Sequence, residues 1–468
     1  MAQMSSPQLE DKIHEALRQW HHGSTQTSPL GHLFLFQQNQ RTGENNHRAT
    51  NDILLQLLDR LKANQSQLAL LIRLRFLDQL AVTAVANRLN IAEGTVYKYQ
   101  KQAISTLALM LAQWEQQVQT EGYAELEQRL HLPSETELFG IRPTLNKLLD
   151  LLTTPGPSWL FSLEGLGGIG KTALANTLVR ELALSNQFKA VGWVSAKQTF
   201  FNPAVGVQAI DHGTLDVDSL VDQLLVQLHP EPPPTTSPEE KLTALKILLK
   251  SAPYFIVIDN LESMTDYQAL LPVLRGLTNP SRILLTCRIS LHHQADIHCV
   301  TITQLCKNAS LDLLRYEAEV RHIPKLAQAS SAQLESIYEV VGGNPLALKL
   351  VVGQTRILPL PHILENLRQA QGKSIDALYT YIYWQAWHAL DPVSQQVLLA
   401  MPLVQGGNLT QLSMISKFDM ELLGEALHQL TYRNLVEASG GLEEMVYRIH
   451  RLTETFLLTE VIRWQSDL

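Results

Sequence analysis

The spacing of apolar residues changes twice along the chain. Residues 1–130 carry apolar positions at helical spacing, with a polar break near residues 37–47. Residues 133–300 alternate short apolar runs with helical stretches, and from residue 301 onward the spacing is helical again. Because each spacing is typical of one kind of element, the pattern predicts a multidomain fold with α and α/β parts.

Four short apolar runs in the middle segment are typical of buried strands. They are Trp159–Leu163, Phe188–Ser195, Tyr254–Asp259 and Ile283–Thr286. Strands that alternate with helices predict a parallel sheet with crossover helices. The proline-rich stretch 229–238 interrupts the pattern, and we expect it to form a surface loop.

The last third of the chain divides into two helical parts. Pro359–Pro361 and Gly372–Lys373 interrupt the helical spacing. The second part ends in two strand-like runs, Leu435–Ala438 and Met445–Ile449, on either side of a glycine-containing turn. Helices followed by a short hairpin predict a winged helix. We therefore expect four domains, which span residues 1–130, 133–300, 301–372 and 373–468.

The most informative motif lies where the first predicted strand meets a predicted helix. Residues 165–172 read Gly-Leu-Gly-Gly-Ile-Gly-Lys-Thr, a complete G-x-x-x-x-G-K-T phosphate loop. Its glycines let backbone N–H groups turn toward a phosphate, and the helix N-terminus adds partial positive charge. We expect Lys171 to reach the β- and γ-phosphates of a nucleotide, and Thr172 to ligate Mg²⁺. The predicted phosphate-binding residues are Gly165, Gly167, Gly168, Gly170, Lys171, Thr172 and Ala173.

Two later strands end in polar groups that suit the same site. Asp259 follows an apolar run, and ligands of parallel sheets bind at the carboxyl ends of the strands. We therefore expect Thr172 and Asp259 to hold Mg²⁺ between them. Arg288 follows the next strand, and we expect it to contact the γ-phosphate. The alternative for Arg288 is a surface arginine at a strand end.

Five motifs in this order resemble the NB-ARC family of signal-transduction ATPases, often called STAND proteins. They are Gly165–Thr172, Phe188–Ser195, Ile256–Asp259, Thr286–Arg288 and Gly342–Leu348. The resemblance covers about residues 133–460. It implies an ATP/ADP switch in which a nucleotide-binding domain, a small helical ARC domain and a winged helix close around bound ADP.

The resemblance also implies roles for residues outside the phosphate loop. Pro345 matches the proline that packs on the adenine, and a proline here also suits the start of a helix. His450 matches the winged-helix histidine that contacts the ADP β-phosphate; a structural histidine is the alternative. Phe139–Arg142 resembles the segment that enters the domain and lines the base pocket; a plain linker is the alternative.

Two positions depart from the family pattern. The family commonly has Met-His-Asp where residues 449–451 read Ile-His-Arg, so we expect a differently built contact in the resting state. The family also often has a second acid directly after Asp259, where this chain has Asn260. An amide cannot act as a general base. Either Glu262 polarises the attacking water or hydrolysis is slow, and slow hydrolysis suits a switch. The predicted catalytic residues are Lys171, Asp259, Glu262 and Arg288.

Residues 68–108 predict a helix-turn-helix within the N-terminal domain. Ala86 is small where two helices cross, the turn falls near Asn90, and Ile91 and Val96 are expected to face the core. The segment has five basic and two acidic residues, a net charge of +3, which favours phosphate contact. It resembles the last DNA-binding region of bacterial sigma factors; docking of a protein is the alternative. The second helix is expected to present to duplex DNA the side chains of Thr95, Lys98, Tyr99, Lys101 and Gln102.

Composition narrows the class of protein. The chain is 45% hydrophobic and 18% charged, as in globular proteins, and its net charge of −8 argues against a protein that coats nucleic acid along its whole surface. Three cysteines without a C-x-x-C pair favour a reducing, cytoplasmic location. We expect no signal peptide, because the N-terminus lacks a basic start followed by an apolar core. We expect no membrane partner, because no apolar run reaches the length of a bilayer span.

The leading hypothesis is a nucleotide-switched transcription regulator. ADP holds the chain closed, and ATP with a signal opens it to self-associate on DNA. The alternative is a signalling or defence scaffold whose N-terminal module recruits a protein effector. An ATPase that performs mechanical work is disfavoured by Asn260. Family members usually carry a sensor array after the winged helix, whereas this sequence ends at Leu468. We therefore expect the signal to arrive through a separate sensor protein or through the N-terminal helices.

Overall fold

The structure, a computed structural model, describes most of the chain as two compact units. Unit 1 comprises residues 1–133 with 180–191 and 247–254, and unit 2 comprises residues 134–179, 192–246 and 255–468. The residues that the structure describes are 6–22, 27–39, 45–130, 137–183, 185, 187–196, 199–202, 206–209, 215–229, 237–264, 267–356, 358–368, 383, 385–404, 407–441, 444–449 and 451–457.

Unit 1 is built mainly from helices whose apolar faces share one core. That core contains fully buried leucines and isoleucines such as Ile13, Leu57 and Leu107. The helical character predicted for residues 1–130 is confirmed. The helices are α1 (Ser6–Arg18), α2 (Phe34–Asn39), α3 (Asn46–Asn64), α4 (Ser66–Ile72), α5 (Val82–Leu89) and α6 (Glu93–Arg129), with a π-helical turn at Arg73–Leu77 between α4 and α5.

A tight turn joins α5 to α6, as the sequence predicted. Asn90 closes α5 in the left-handed region at φ 54°, and its N–H bonds back to Ala86 and Asn87. Asparagine tolerates this conformation better than most residues do, which explains where α5 ends. Val96 is fully buried and Ala86 is 5% exposed, whereas Ile91 is half-buried. Helix α6 has 37 residues and extends to Arg129, beyond the segment 68–108 that the sequence predicts to be a helix-turn-helix.

The predicted parallel sheet forms the centre of the α/β part. Five strands lie in the order β2-β5-β6-β1-β7, and β3 pairs with β4 in a separate antiparallel hairpin. Pairing is parallel between β1 and β6, β1 and β7, and β5 and β6. The four predicted strands are present, each with one or both bounds shifted by one to three residues. The strands are β1 (Leu160–Glu164), β2 (Val191–Ser195), β3 (Thr199–Asn202), β4 (Gly206–Ala209), β5 (Phe255–Asp259), β6 (Arg282–Cys287) and β7 (Ile297–Thr301).

Helices connect these strands, which is why the central strands are apolar on both faces. Every residue of β1, β5 and β6 is buried. Parallel pairing brings the carboxyl ends of β1, β5 and β6 to one edge, so residues 165–172, Asp259 and Arg288 meet there. The connecting helices are α8 (Lys171–Ala183), α9 (Val217–Leu228), α10 (Pro238–Ser251) and α11 (Tyr267–Leu277), with a 3-10 turn at Leu261–Ser263, and α7 (Arg142–Thr153) precedes β1.

The residues after β7 form a helical region with a small antiparallel sheet. Its core contains Leu314, Leu348, Leu398 and Leu427, and the phosphate-loop residue Leu166 belongs to the same cluster. The helices are Lys307–Val320, Pro324–Ala327, Ser331–Val341, Pro345–Gln354, Leu360–Arg368, Gln385–His388, Pro392–Val404, Leu409–Ser416, Met420–Tyr432 and Arg451–Phe456. The sheet has the order β8 (Gly407–Asn408), β10 (Met445–Ile449), β9 (Val436–Gly440).

The hairpin predicted after residue 434 is therefore present as β9 and β10. The predicted division at Gly372–Lys373 lies outside the described residues, as does most of the proline-rich stretch 229–238. The four predicted domain boundaries and the winged-helix assignment stay predictions. Among the helices that the structure describes, none has the length and apolar character needed to cross a membrane.

Candidate nucleotide-binding site

The phosphate loop follows β1 directly, and α8 begins at Lys171. Gly165 has φ 145° and Gly168 has φ 75°, both in the region that favours glycine. A Cβ on Gly165 would lie 2.7 Å from the carbonyl oxygen of Ile302, and one on Gly168 would lie 2.7 Å from Leu346 Cβ. Both glycines are therefore required by the close approach of neighbouring chain segments as well as by backbone conformation.

Lys171 is held inside the loop by main-chain oxygens. Its Nζ donates hydrogen bonds of 2.7 Å to Gly165 O and 2.9 Å to Leu166 O. The side chain is 8% exposed, and burial lowers the pKa of the ammonium to about 8. The carboxylate of Glu262 opposes this lowering, and the guanidinium of Arg288 adds to it. A phosphate at this position would favour the charged ammonium and raise the pKa again.

The carboxylate of Asp259 accepts hydrogen bonds from three hydroxyl groups, which belong to different segments at this edge of the sheet. Thr172 Oγ1 and Thr286 Oγ1 each donate a 2.7 Å hydrogen bond to Asp259 Oδ1, and Ser195 Oγ donates a 3.2 Å bond to Oδ2. The carboxylate is fully buried. Hydroxyl and carboxylate oxygens are the donors that Mg²⁺ prefers, so Thr172 and Asp259 fit such an ion. The sequence predicted this pair but missed Ser195 and Thr286, although both stand at the ends of predicted strands.

Glu262 and Arg288 form an ion pair beside this cluster. Arg288 Nε lies 3.3 Å from Glu262 Oε1, and Arg288 N donates a 3.1 Å hydrogen bond to Glu262 Oε2. Asn260, which stands where the family often has an acid, takes a left-handed conformation at φ 65° and donates its N–H to Thr286 Oγ1 at 2.9 Å. Both oxygens of the candidate base Glu262 thus face Arg288.

A buried asparagine joins the helical region to the phosphate loop. Asn344 Nδ2 donates a 3.3 Å hydrogen bond to Gly167 O, while its Oδ1 accepts from the N–H groups of Leu346 and Ala347. The same side chain therefore caps the helix that starts at Pro345 and contacts the loop. Pro345, which the sequence predicted as a site residue, is half-buried at the first helical position, whereas Asn344 was not predicted. An asparagine directly before a helix-starting proline was the available signal.

A second asparagine joins the hairpin region to the loop after β6. Asn434 Nδ2 donates a 2.8 Å hydrogen bond to Arg288 O, and Ser290 N donates a 2.5 Å bond to Tyr432 O. Tyr432 Oη and Tyr267 Oη lie 2.6 Å apart. A cavity of about 500 Å³ opens beside these contacts. Its lining includes Gly165, Leu166, Ser290, His292, Tyr432 and Asn434.

The remaining residues that the sequence predicts to contact nucleotide are Ala173, the segment 139–142 and His450. Ala173 is half-buried in the first turn of α8. Phe139 packs against Tyr316 with ring centroids 5.4 Å apart, which places the entry segment on the helical region. His450 lies outside the described residues, so its predicted contact with a β-phosphate stays a prediction.

The residues predicted to contact DNA belong to unit 1. Lys98, Lys101 and Gln102 are exposed, whereas Thr95 and Tyr99 are half-buried. Tyr99 packs partly against the core of that unit, so less of its ring is available than the sequence predicted. Tyr97, which the sequence analysis did not select, is 59% exposed.

A strand, a glycine loop and a helix that bring Lys171, Thr172 and Asp259 to one sheet edge define a P-loop NTPase domain. Residues 141–322 match the family model of the NB-ARC domain. This match confirms the predicted NB-ARC resemblance for residues 141–322, which contain four of the five motifs. The Gly342–Leu348 motif and the sigma-factor resemblance of residues 68–108 lie outside the match and stay predictions.

The similar proteins include plant resistance proteins. Disease resistance protein RPP8 of Arabidopsis thaliana is 26% identical over 247 residues, which cover 49% of this chain and 24% of the relative. Disease resistance RPP8-like protein 3 of the same plant is 25% identical over 241 residues, which cover 49% of this chain and 24% of the relative. The chain thus spans about a quarter of the length of these relatives.

Two solved archaeal structures also align with the chain. The Walker-type ATPase of Pyrococcus abyssi aligns with a TM-score of 0.49 at 14% identity, over 69% of this chain and 96% of that chain. A STAND protein with a tetratricopeptide repeat sensor from Pyrococcus horikoshii aligns with a TM-score of 0.33 at 16% identity, over 70% of this chain and 43% of that chain.

Proposed function

We propose that the chain is an ATP/ADP-dependent signalling switch. The observation that carries this proposal is that two side-chain amides from the helical region hold main-chain oxygens of the nucleotide site. Asn344 holds Gly167 O inside the phosphate loop, and Asn434 holds Arg288 O after β6. Any nucleotide-dependent movement of Gly167 or Arg288 is therefore passed to the helical region.

The residues of the site suit a magnesium-bound adenine nucleotide. Lys171 and the amides of the glycine loop bind phosphate, and Thr172 with Asp259 holds Mg²⁺. By the family resemblance, Pro345 and the segment 139–142 are our candidates for contact with the base, and His450 is our candidate for the β-phosphate contact. The γ-phosphate is what distinguishes ATP from ADP, and Arg288 is the candidate side chain to sense it.

Slow hydrolysis fits this site better than rapid turnover does. Glu262 is the nearest acid after Asp259 in the sequence, and both its oxygens face Arg288. Oε2 accepts the Arg288 N–H, and Oε1, which makes no hydrogen bond to the described residues, lies 3.3 Å from Arg288 Nε, so this carboxylate is suited to orient the arginine. Asn260 supplies an amide where a base would be needed. The bound nucleotide then acts as a long-lived marker of state, as a switch requires.

We further propose that the output of the switch is DNA binding through α5 and α6. The support is the net charge of +3 over residues 68–108 and the exposure of Arg88, Lys98 and Lys101 around the turn at Asn90. Exposed basic side chains near the start of a helix that follows a tight turn can contact DNA phosphates. Self-association in the ATP state would raise DNA affinity through multivalency.

A titration of duplex DNA across salt tests the DNA-binding proposal. We expect the affinity for DNA to fall steeply as salt is raised. In the double variant Lys98→Ala, Lys101→Ala, the slope of log affinity against log salt concentration is expected to decrease by the amount of about two phosphate contacts. Lys62→Ala removes an exposed lysine of α3 and serves as the matched control. An absence of binding at low salt would overturn DNA binding and favour the scaffold that recruits a protein effector.

The nucleotide content of the freshly purified protein tests the switch itself. We expect ADP to be released when the protein is denatured, because Pro345 and His450 match the family positions that contact bound ADP. Exchange of ADP for ATP is expected to increase the molecular mass measured by light scattering. A chain that carries no nucleotide and binds none would overturn the proposal.

A further inference from the structure

Three ligand-bearing side chains from separate segments meet behind the phosphate loop. They are Glu164 at the end of β1, His292 in the connection from β6 to β7, and Cys299 in β7. One carboxylate oxygen, one imidazole nitrogen and the thiol sulfur all lie within 4.8 Å of one another. We propose that these residues form a site for Zn²⁺ or a similar transition-metal ion.

The pairing of β1 with β7 explains how Glu164 and Cys299 come together. Ser162 is paired with Cys299, and Glu164 with Thr301, in parallel register. Side chains two residues apart lie on the same face of a sheet, so Glu164 and Cys299 share one face on adjacent strands. His292 approaches from a different segment, which neither the period of the strands nor the sequence spacing predicts.

Glu164 carries a buried oxygen that the protein leaves unsatisfied. Its side chain is fully buried, and Oε1 accepts a 2.7 Å hydrogen bond from Leu291 N. Oε2 is buried and has no hydrogen-bond partner of ordinary geometry in the described part of the chain, and His292 Nε2 lies 3.6 Å from it. A buried carboxylate oxygen without a donor is costly. A cation between Glu164, His292 and Cys299 would satisfy it.

A carboxylate, an imidazole and a thiol together favour Zn²⁺ over Mg²⁺, the ion proposed for the nucleotide site. Thiolate and imidazole ligands suit Zn²⁺, whereas Mg²⁺ prefers oxygen ligands such as those of Thr172 and Asp259. Three protein ligands leave one position of a tetrahedral ion open. The His292 side chain is 62% exposed and lines the cavity of about 500 Å³, so an ion and its fourth ligand can enter from that side. Within the part of the chain that the structure describes, no second cluster of this kind is found.

Cobalt spectroscopy on the full chain tests this site directly. Co²⁺ binds the same ligands as Zn²⁺, and a cobalt–thiolate bond produces a charge-transfer band in the near ultraviolet. We expect metal-stripped protein to bind one equivalent of Co²⁺ with this band, and Zn²⁺ to displace it. An excess of Mg²⁺ is expected to leave the band unchanged, because the two ions use different ligands.

Two substitutions and one control decide the assignment. Cys299→Ser is expected to abolish the band, whereas Cys306→Ser, which changes an exposed cysteine elsewhere in the chain, keeps it. His292→Gln changes a largely exposed side chain and is expected to weaken Co²⁺ binding at least about tenfold. Should Cys299→Ser fail to fold, His292→Gln carries the test. A wild-type chain without the band, a band that survives in Cys299→Ser, or unchanged affinity in His292→Gln overturns the proposal. Nucleotide affinity does not enter this test, so its outcome is independent of the switch.

Discussion

Thr172 Oγ1 donates a 2.7 Å hydrogen bond to Asp259 Oδ1, which ties the first turn of α8 to the end of β5. The two residues are 87 positions apart in the sequence, and the sheet alone brings them together. Their oxygens form the donor set expected for Mg²⁺. Four substitution experiments and one pH experiment test how this site binds nucleotide and how it is connected to the helical region.

Thr172→Ala is expected to remove most of the benefit that Mg²⁺ gives to ATP binding. The variant loses a hydroxyl ligand of Mg²⁺ and a hydrogen bond to the Asp259 carboxylate, which together are expected to lower the affinity for ATP with Mg²⁺ by about tenfold or more. Thr172→Ser keeps the hydroxyl and is the matched control. Calorimetric titrations of ATP with and without Mg²⁺ measure the effect, and equal Mg²⁺ dependence in Thr172→Ala and Thr172→Ser would exclude this role.

The affinity for nucleotide is expected to fall as the pH rises above about 8. Burial lowers the pKa of Lys171 from 10.5 to about 8 in the free protein, and bound phosphate favours the charged form. Between about pH 8 and the higher pKa of the complex, binding takes up a proton, so affinity falls by up to about tenfold per pH unit. Below pH 8 the ammonium is charged in both states, and this group causes no pH dependence.

Calorimetry in buffers of different ionisation enthalpy measures this proton uptake. We expect uptake near zero at about pH 7 and a clear increase at about pH 9. In Lys171→Arg the side chain stays charged throughout, so the increase is expected to disappear. Constant affinity and constant uptake in the wild-type chain over this range would show that the ammonium of Lys171 does not titrate before binding.

Asn344 is expected to have two separable roles. Asn344→Ala removes both the helix cap and the bond to Gly167 O, and loss of the cap alone costs about 1 kcal/mol of stability. Asn344→Ser keeps a capping hydroxyl but has no amide to donate to the loop. We expect only the alanine variant to lower the unfolding free energy clearly, while both variants release ADP faster.

Rates of ADP release, followed with a fluorescent analogue, separate these roles. Faster release in Asn344→Ala with wild-type release in Asn344→Ser would mean that the cap matters and the contact with Gly167 does not. Thermal unfolding of the same proteins provides the stability comparison.

Asn434→Gly is expected to loosen the contact between the hairpin region and the loop after β6. Asn434 has φ 55°, which glycine adopts without strain, so the substitution removes the amide donor to Arg288 O and leaves the backbone conformation available. Loss of one such bond is worth about 1 kcal/mol, or roughly fivefold in the local equilibrium. Hydrogen exchange of a peptide that contains Ser290 N measures it. Protection equal to the wild-type value would contradict a coupling role for Asn434.

The parts of the site that the sequence predicts are those defined by local pattern. Residues 165–172 lie within one strand–loop–helix unit, and Asp259 ends a continuous apolar run, so neither needs knowledge of the fold. The predicted C-terminal ends of β2 and β5 are correct, whereas the other strand bounds differ by one to three residues, because apolar composition does not mark the first and last hydrogen-bonded pairs. The turn near Asn90 was predicted from the pattern of two short helices, and the structure adds that Asn90 adopts the left-handed conformation there.

The rest of the site depends on strand order and on contacts between distant segments. Ser195 and Thr286 reach Asp259 only because β2 and β6 flank β5, an order that the pattern of apolar runs does not specify. Asn344 and Asn434 are ordinary capping and turn residues in the sequence, and their second contacts arise from packing in three dimensions. Glu164 and Cys299 are 135 positions apart in the numbering and meet only through the pairing of β1 with β7.

The most direct test of the account is the affinity of Lys171→Ala for ADP and for ATP with Mg²⁺. Calorimetric titration of the folded variant is compared with the wild-type chain and with Lys246→Ala, which removes an exposed lysine of α10. We predict that Lys171→Ala weakens binding of both nucleotides by about ten- to a hundredfold, because a charged donor to phosphate is lost, and that Lys246→Ala binds like the wild-type chain. Wild-type affinity in folded Lys171→Ala would contradict the account.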